Sequence, residues 1–291
     1  MHNAQGQQGR GIALMLVGVA CLSVNDALAK VLTQSYAPLQ ILFLRNVIAL
    51  PVAVALAWRM GGAGALRSYR PWAHVLRGAL WIGATVLFFS AIRQMGLAEA
   101  TALVFVAPLF ITALSALFLG EKVGWRRWGA VVAGFIGVLI VLRPGAAEFR
   151  AVALLPVATA LLYAALMLGA RWVDRRESLW TMLLYLTVTS GAMSACLVPF
   201  VWAPVSAGDL WLFAMIALFG TAGMALITQA FRLAPAGVIA PLDYTALLWA
   251  TGLGWLFWAE VPDALTLLGA AIIVASGLVT ILRANRADRA G

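Results

Sequence analysis

Residues 128–143 read WGAVVAGFIGVLIVLR, and residues 268–283 read LGAAIIVASGLVTILR. Laid over one another at an offset of 140, they match Gly129 with Gly269, Ala130 with Ala270, Gly137 with Gly277 and Arg143 with Arg283. Working outward, ALFLGE at 116–121 faces WLFWAE at 255–260. FSAIRQMGLAEA at 89–100 faces TQAFRLAPAGVI at 228–239, with Arg93 opposite Arg232. Self-similarity at a fixed offset is the mark of a duplicated unit, and here each copy fills about half the chain.

What is duplicated is a string of oily segments. Of 291 residues, 64% are hydrophobic and 11% charged, whereas soluble domains run about 45–50% apolar and about 25% charged. Lipid is the solvent that such a chain fits. A spanning helix needs about 20 mostly apolar residues. Ten runs qualify: 11–32, 38–58, 72–92, 99–119, 128–143, 151–171, 179–202, 210–231, 237–258 and 265–283. They are too long and too uniformly apolar for the alternating strands of a barrel. Each half therefore holds five spans, and an odd number turns the second copy upside down. The expected fold is an all-α membrane protein of ten transmembrane helices in two inverted five-helix repeats, 10–143 and 150–283. Architectures of this kind place a solute site near the bilayer midplane, where the repeats meet.

The net charge of +9 is explained by the loops. With the amino terminus inside, the inner connections carry Arg59, Arg67, Arg70, Lys122, Arg126, Arg127, Arg171, Arg175, Arg176 and Arg232, and the tails add Arg10, Arg283, Arg286 and Arg289. The outer side receives only Lys30, Arg93, Arg143 and Arg150. This is the positive-inside pattern, and it predicts two cytoplasmic termini in a bacterial inner membrane. The bases are scattered over short loops, so nucleic acid is not an expected partner. Cys21 and Cys196 lie in apolar runs, and the histidines are His2 and His74; neither pair has metal spacing or a disulfide framework. No phosphate loop occurs. No cofactor, metal or catalytic residue is expected, and the first run reads as a retained helix, not a cleaved signal.

An ionisable side chain inside a span costs about 2.5–3.5 kcal/mol on insertion scales, so each one is a candidate functional group. The first span carries Asn25, Asp26 and Lys30, the second Arg45, the third Arg77 and the ninth Asp243. Asp26 and Lys30 are four apart and share a helix face. Asn25 and Asp26 are read as facing a zwitterionic or cationic solute. The competing reading has Asp26 neutralised by Arg45 or Lys30 and serving only to tie the first two helices together. Arg77 and Asp243 lie at a similar depth, and a pair between them would form an inner gate or a structural tie; alternatively, Arg77 snorkels to the inner surface. At the offset of 140, Asn25, Asp26, Lys30 and Arg45 face Ala165, Leu166, Ala170 and Tyr185, so this polar group belongs to the first half alone.

Mixed polar and aromatic stripes recur at helical spacing: Trp81, Thr85 and Phe88; Thr101, Phe105, Pro108 and Thr112; Thr159, Tyr163 and Met167; Tyr244, Leu248 and Thr251. They suit a cavity for an amphipathic solute, or ordinary packing. The candidate substrate-binding set is Asn25, Asp26, Trp81, Thr85, Phe105, Tyr163, Asp243 and Tyr244. Trp58, Trp72, Trp125, Trp202 and Trp211 sit at span ends as interfacial anchors. Ala130, Ala133, Gly134 and Gly137 offer a small-residue face for repeat scaffolding or for a second copy of the chain.

The motifs SVNDALAK at 23–30, ILFLRNVIAL at 41–50, GLAEATALVFVAPLF at 96–110, LGEKVGWRRWGA at 119–130 and PLDYTALLWATGLGWLFWAEVPDALTLLGA at 241–270 resemble those of the drug/metabolite transporter superfamily, specifically its EamA-type ten-helix carriers. The resemblance implies secondary transport of small metabolites by alternating access, with the first, third, fourth, sixth, eighth and ninth spans walling a cavity. It implies amino-acid export as the leading function, of aromatic or hydrophobic residues among others. Uptake of S-adenosylmethionine or a similar cationic metabolite is the alternative. Outside transport, a structural membrane protein and a membrane enzyme are the rivals. The enzyme reading lacks a convergent acid–base or metal constellation.

Overall fold

The computed structural model describes residues 2–120, 124–144, 151–170, 173 and 176–287. Lys122, Arg150, Arg171, Arg175 and Arg289 of the charge pattern lie outside these residues, as do the side chains of Arg126, Arg283 and Arg286. No strand occurs among the described residues. The first three spans are His2–Leu32, Pro38–Gly61 and Pro71–Ile92. The fourth is broken into Leu97–Val104 and Ala107–Leu119, and the fifth is Trp125–Leu142. Leu154–Gly169, Leu179–Leu197 and Leu210–Leu233 are the sixth to eighth. The ninth runs as Ala236–Ile239, a 3-10 turn over Ala240–Thr245, and Ala246–Trp258; Ala264–Ala287 is the tenth.

Local chemistry sets these boundaries. Pro38 and Pro71 open their helices at a position whose N–H would have no intrahelical partner. Ser178 accepts from the Thr181 N–H and Asp263 Oδ1 from the Thr266 N–H, so side chains satisfy two further helix starts. Gly120 takes φ +65 and ends the fourth span in the left-handed region. Pro108 and Pro241 account for the two broken spans, since neither can donate to the ladder. Both breaks fall in the fourth span of their own half.

The packing shows the inverted duplication. The first span packs on the eighth and the third on the sixth; the first on the ninth and the fourth on the sixth; the second on the eighth and the third on the seventh. Each pairing has its counterpart with the halves exchanged. The second–seventh, fourth–ninth and fifth–tenth pairs are their own counterparts. Two glycines fix the register. A Cβ on Gly83 would lie 2.9 Å from Leu162, and a Cβ on Gly223 would lie 2.8 Å from Leu22. Gly83 and Gly223 are 140 apart, as are Leu22 and Leu162, so one contact is made twice with donor and acceptor halves swapped. Between the fifth and tenth spans, a Cβ on Gly137 would stand 2.9 Å from the Gly269 carbonyl. The small-residue face there is internal scaffold. Trp58, Trp72, Trp125, Trp202 and Trp211 are all exposed at span ends.

Side-chain bonds join loops on two opposite faces. On one, Tyr36 Oη donates to Asp209 at 2.7 Å and Gln40 Nε2 to the Ala203 carbonyl at 2.7 Å. On the same face Arg143 pairs with Asp263 and Lys30 with Glu260. On the other, Glu177 accepts from Ser68 Oγ at 2.9 Å and from the Tyr69 N–H at 2.7 Å, and its second oxygen lies 2.7 Å from His74 Nε2.

Candidate functional site

A cavity of about 280 Å3 lies among the spans, close to the roughly 300 Å3 lower end of small-ligand sites. Its wall contains Asn25 and Asp26 of the first span, Trp81 and Thr85 of the third, Phe105 of the fourth, Tyr163 of the sixth, and Asp243 and Tyr244 of the ninth. Arg45 of the second span and Met224 of the eighth also line it. Eight residues singled out from five separate segments are thus brought to one chamber.

The polar groups are held in different ways. Asn25 is buried, and its amide donates to Asp26 Oδ1 at 3.0 Å. Its own Oδ1 has no partner among the described residues. That oxygen and Arg45 Nε would lie 2.8 and 3.2 Å from a Cβ on Gly220, so the bare backbone of the eighth span makes room for both. Arg45 stands over the Trp81 ring, 5.9 Å from its centroid, within cation–π range. It makes no ion pair with Asp26 among the described contacts. The hydroxyls of Thr101 and Thr159 donate to the carbonyls of Leu97 and Leu155, four residues back, so their spans satisfy them internally.

The ninth span supplies the other acid. Irregular backbone is tolerated at membrane depth where it lines a cavity, and the 3-10 turn over Ala240–Thr245 does so. Asp243 is exposed, lines the cavity and has no hydrogen-bond or ion-pair partner among the described residues. Tyr244 beside it is buried. Its ring lies 4.8 Å from that of Phe105, and its hydroxyl is pressed against the Gly277 backbone without a hydrogen bond. The Tyr244 ring, not its hydroxyl, therefore faces the chamber. Phe105 and Tyr244 sit 139 apart, the offset of the surrounding repeats. Repeat mates that touch must lie near the two-fold axis, so the axis passes through the cavity.

Several expectations are corrected. Lys30 does not neutralise Asp26: its ammonium pairs with Glu260 and donates to the Met95 carbonyl at 2.9 Å. Arg77 neither reaches Asp243 nor snorkels to the surface. It is buried beside the face where Gly78 packs on Thr189, and its Nε and Nη1 have no hydrogen-bond partner among the described residues. The stripe of the ninth span fails after Tyr244. A 3-10 turn has three residues per turn, so α-helical spacing does not carry through it, and Leu248 is left 73% exposed and outside the cavity. Met167 and Thr112 also do not line it. Glu260 and Glu177 were missed altogether, since both read as loop residues; the match of Glu260 with Glu121 was the one signal for the former.

Burial alone would raise the Glu177 carboxyl, but the bonds from His74, Tyr69 and Ser68 outweigh it and hold the group below its ordinary 4.5. Asp263 is held lower, at about 2, by Arg143 and by Thr266. Among the described residues no three His, Cys, Asp or Glu side chains converge as a metal site.

The sequence profile of the EamA-like transporter family matches residues 9–143 and again 150–282. The chain belongs to the EamA-like transporter family. As an EamA-like protein it is a multi-pass membrane transporter of small molecules. It is 28% identical to the S-adenosylmethionine uptake transporter of Rickettsia bellii, over 99% of this chain and 98% of that one. It is 30% identical to a riboflavin transporter of Rhizobium johnstonii, covering 83% of this chain and 85% of the relative. The pseudopaline exporter CntI of Pseudomonas aeruginosa is 27% identical, over 91% and 93% of the two chains. A protein of known crystal structure shares the EamA-like fold, with a TM-score of 0.62 at 23% identity over 97% of both chains.

Proposed function

We propose that this EamA-like transporter carries a small amphipathic metabolite bearing positive charge, S-adenosylmethionine or a molecule like it, across the bacterial inner membrane by alternating access. The observation that carries the reading is Asp243: an unpartnered carboxylate on the chamber wall, opposite Asp26, with Arg45 as the nearby cation already stacked on Trp81. A solute with a cationic centre supplies the partner that Asp243 lacks. The faces of Trp81, Phe105, Tyr163 and Tyr244 take its flat or apolar part and attract its charge. Asn25 and Thr85 orient its polar groups, and Arg45 receives a carboxylate where the solute has one. The two five-helix units, 10–143 and 150–283, rock about the chamber with both termini on the cytoplasmic side.

Relatives over nearly the whole length carry S-adenosylmethionine in their names. Export of an aromatic or hydrophobic amino acid rests on the same pairing of acid with ammonium, but none of the three relatives above is named for an amino acid. Counterflow in proteoliposomes tests the reading. Preloaded unlabelled S-adenosylmethionine should drive accumulation of the labelled compound, and Asp243→Asn should abolish it. If riboflavin exchanges instead and Asp243→Asn leaves that exchange intact, the rings select the solute and the cationic reading fails.

A further inference from the structure

We propose that Lys30 and Glu260 form a one-sided latch that holds the carrier shut on their face, so that its resting state opens to the opposite face. The inference rests on alternating access, proposed above, and on one ammonium that joins three moving segments. Lys30 Nζ, at the end of the first span, donates to the Met95 carbonyl in the turn between the third and fourth spans at 2.9 Å. It also pairs with Glu260 Oε1 in the turn between the ninth and tenth. The second carboxylate oxygen of Glu260 accepts from the Leu97 N–H at 3.1 Å. Lys30 is only 3% exposed and stands 5.1 Å from the centre of the Trp258 ring.

The latch lies between two spaces. On one side is the central chamber, whose Asp26 is one helical turn, roughly 6 Å, back along the first span. On the other is a polar cleft of about 980 Å3 reached by Gln34, Arg93 and Asp263. Phe89 of the chamber wall and Ala98 of the cleft wall are buried in one apolar cluster with Ala27, Ile92 and Leu97. A solute leaving the chamber toward the cleft must part these side chains. They cannot part while Lys30 and Glu260 are joined.

The second half cannot copy this device. The mate of Lys30 is Ala170. The register is secure, because Leu22 and Leu162, eight residues earlier on the same two spans, occupy swapped positions against Gly223 and Gly83. An alanine binds no carboxylate, whatever the conformation. Among the described residues the inverted scaffold therefore carries this lysine clasp on one face, and Ala170 leaves no lysine to form it at the matching place on the other.

The test uses the full-length protein in proteoliposomes, with Cys21 and Cys196 replaced by Ala and one reporter, Thr101→Cys, on the cavity wall. A membrane-impermeant thiol reagent is applied to either face without substrate, so the result does not depend on which solute is carried. Glu260→Gln removes the charge but keeps an oxygen for the Leu97 N–H, so it remains folded even if Lys30→Ala does not. A minor conformer is commonly populated at about 0.1–10%. Both substitutions should therefore raise labelling from the latch face by roughly 10-fold or more and lower it from the other. Unchanged rates in Glu260→Gln, or equal increases from both faces, would overturn the latch.

Discussion

Gly83 of the first half seats Leu162 of the second, and Gly223 of the second seats Leu22 of the first. One turn beyond Leu22 the first span carries Asn25 and Asp26; one turn beyond Leu162 the sixth carries Ala165 and Leu166. The same backbone position is thus a wall of packed glycine and leucine in both halves, and a polar site in only one. A fold needs its scaffold contacts twice to stay two-fold, but a solute with unlike ends needs unlike walls. On the function proposed above, the duplicated glycine and leucine contacts hold the spans, whereas the acids offered to the solute's charge, Asp26 and Asp243, have no acidic mate in the other half. Asp243, exposed in the 3-10 turn, is the second half's acid on the chamber wall, and Tyr244 beside it meets Phe105 of the first half's broken span.

Making the halves alike at their most different position should have the largest effect. Asp26→Leu gives the first span the residue its mate carries. Bonds to charged groups are worth about 1.5–3 kcal/mol, so transport should fall roughly 10- to 100-fold while the purified protein still elutes as a folded species. The reverse change, Leu166→Asp, puts a carboxylate at a site only 1% exposed, without a partner. It should cost about 2.5–3.5 kcal/mol, seen as lost yield and a lower melting temperature. Combining the two should not restore transport. If Leu166→Asp rescues Asp26→Leu, the two faces are interchangeable and the comparison collapses.

The scaffold was legible because lipid demands long apolar helices, and a duplicated run shows itself by its offset. The chamber was legible because a charge inside a span needs a reason, so Asp26, Arg45 and Asp243 stood out. The partners were not legible. Lys30 shares a helix face with Asp26, yet its ammonium turns to Glu260, 230 residues on. A four-carbon stem can reach several neighbours, and only the tertiary packing decides among them. Arg77 was misplaced for the same reason. Leu248 failed because an α-helical period was carried through a 3-10 turn, which Pro241 foreshadowed.

The two glycine sockets offer a sharper comparison, with a smaller effect. Gly83 meets only the Leu162 Cδ1 tip, at 2.9 Å. Gly223 meets Leu22 at 2.8 Å and also the Gly18 carbonyl at 2.9 Å. A side-chain tip can turn aside, but a backbone oxygen inside a helix cannot. Overpacking costs about 1–3 kcal/mol when nothing yields. Gly223→Ala should therefore lower the melting temperature more than Gly83→Ala. Leu162→Ala should relieve Gly83→Ala, whereas Leu22→Ala should relieve Gly223→Ala only in part. Equal relief of both would mean that the first and eighth spans slide apart more freely than their packing implies.

The smallest effect compares the carboxylates of the two faces. Glu177 is buried, is bonded by Ser68, Tyr69 and His74, and titrates below its ordinary 4.5. A carboxyl lowered by folding stabilises the native state above its unfolded pKa and loses that contribution as pH falls through the folded one. Glu177→Gln should then melt below the parent protein at neutral pH, and the gap should close as pH drops from about 4.5 downward. Asp263, on the opposite face, is lowered further, to about 2, by Arg143 and Thr266. Its side chain is 54% exposed, however, and water and salt screen an exposed pair to little net worth. Asp263→Asn should shift the melting temperature less than Glu177→Gln, despite the larger perturbation of its carboxyl. The reverse order would show that the Arg143 clasp, not the buried His74–Glu177 pair, bears the acid sensitivity of the fold.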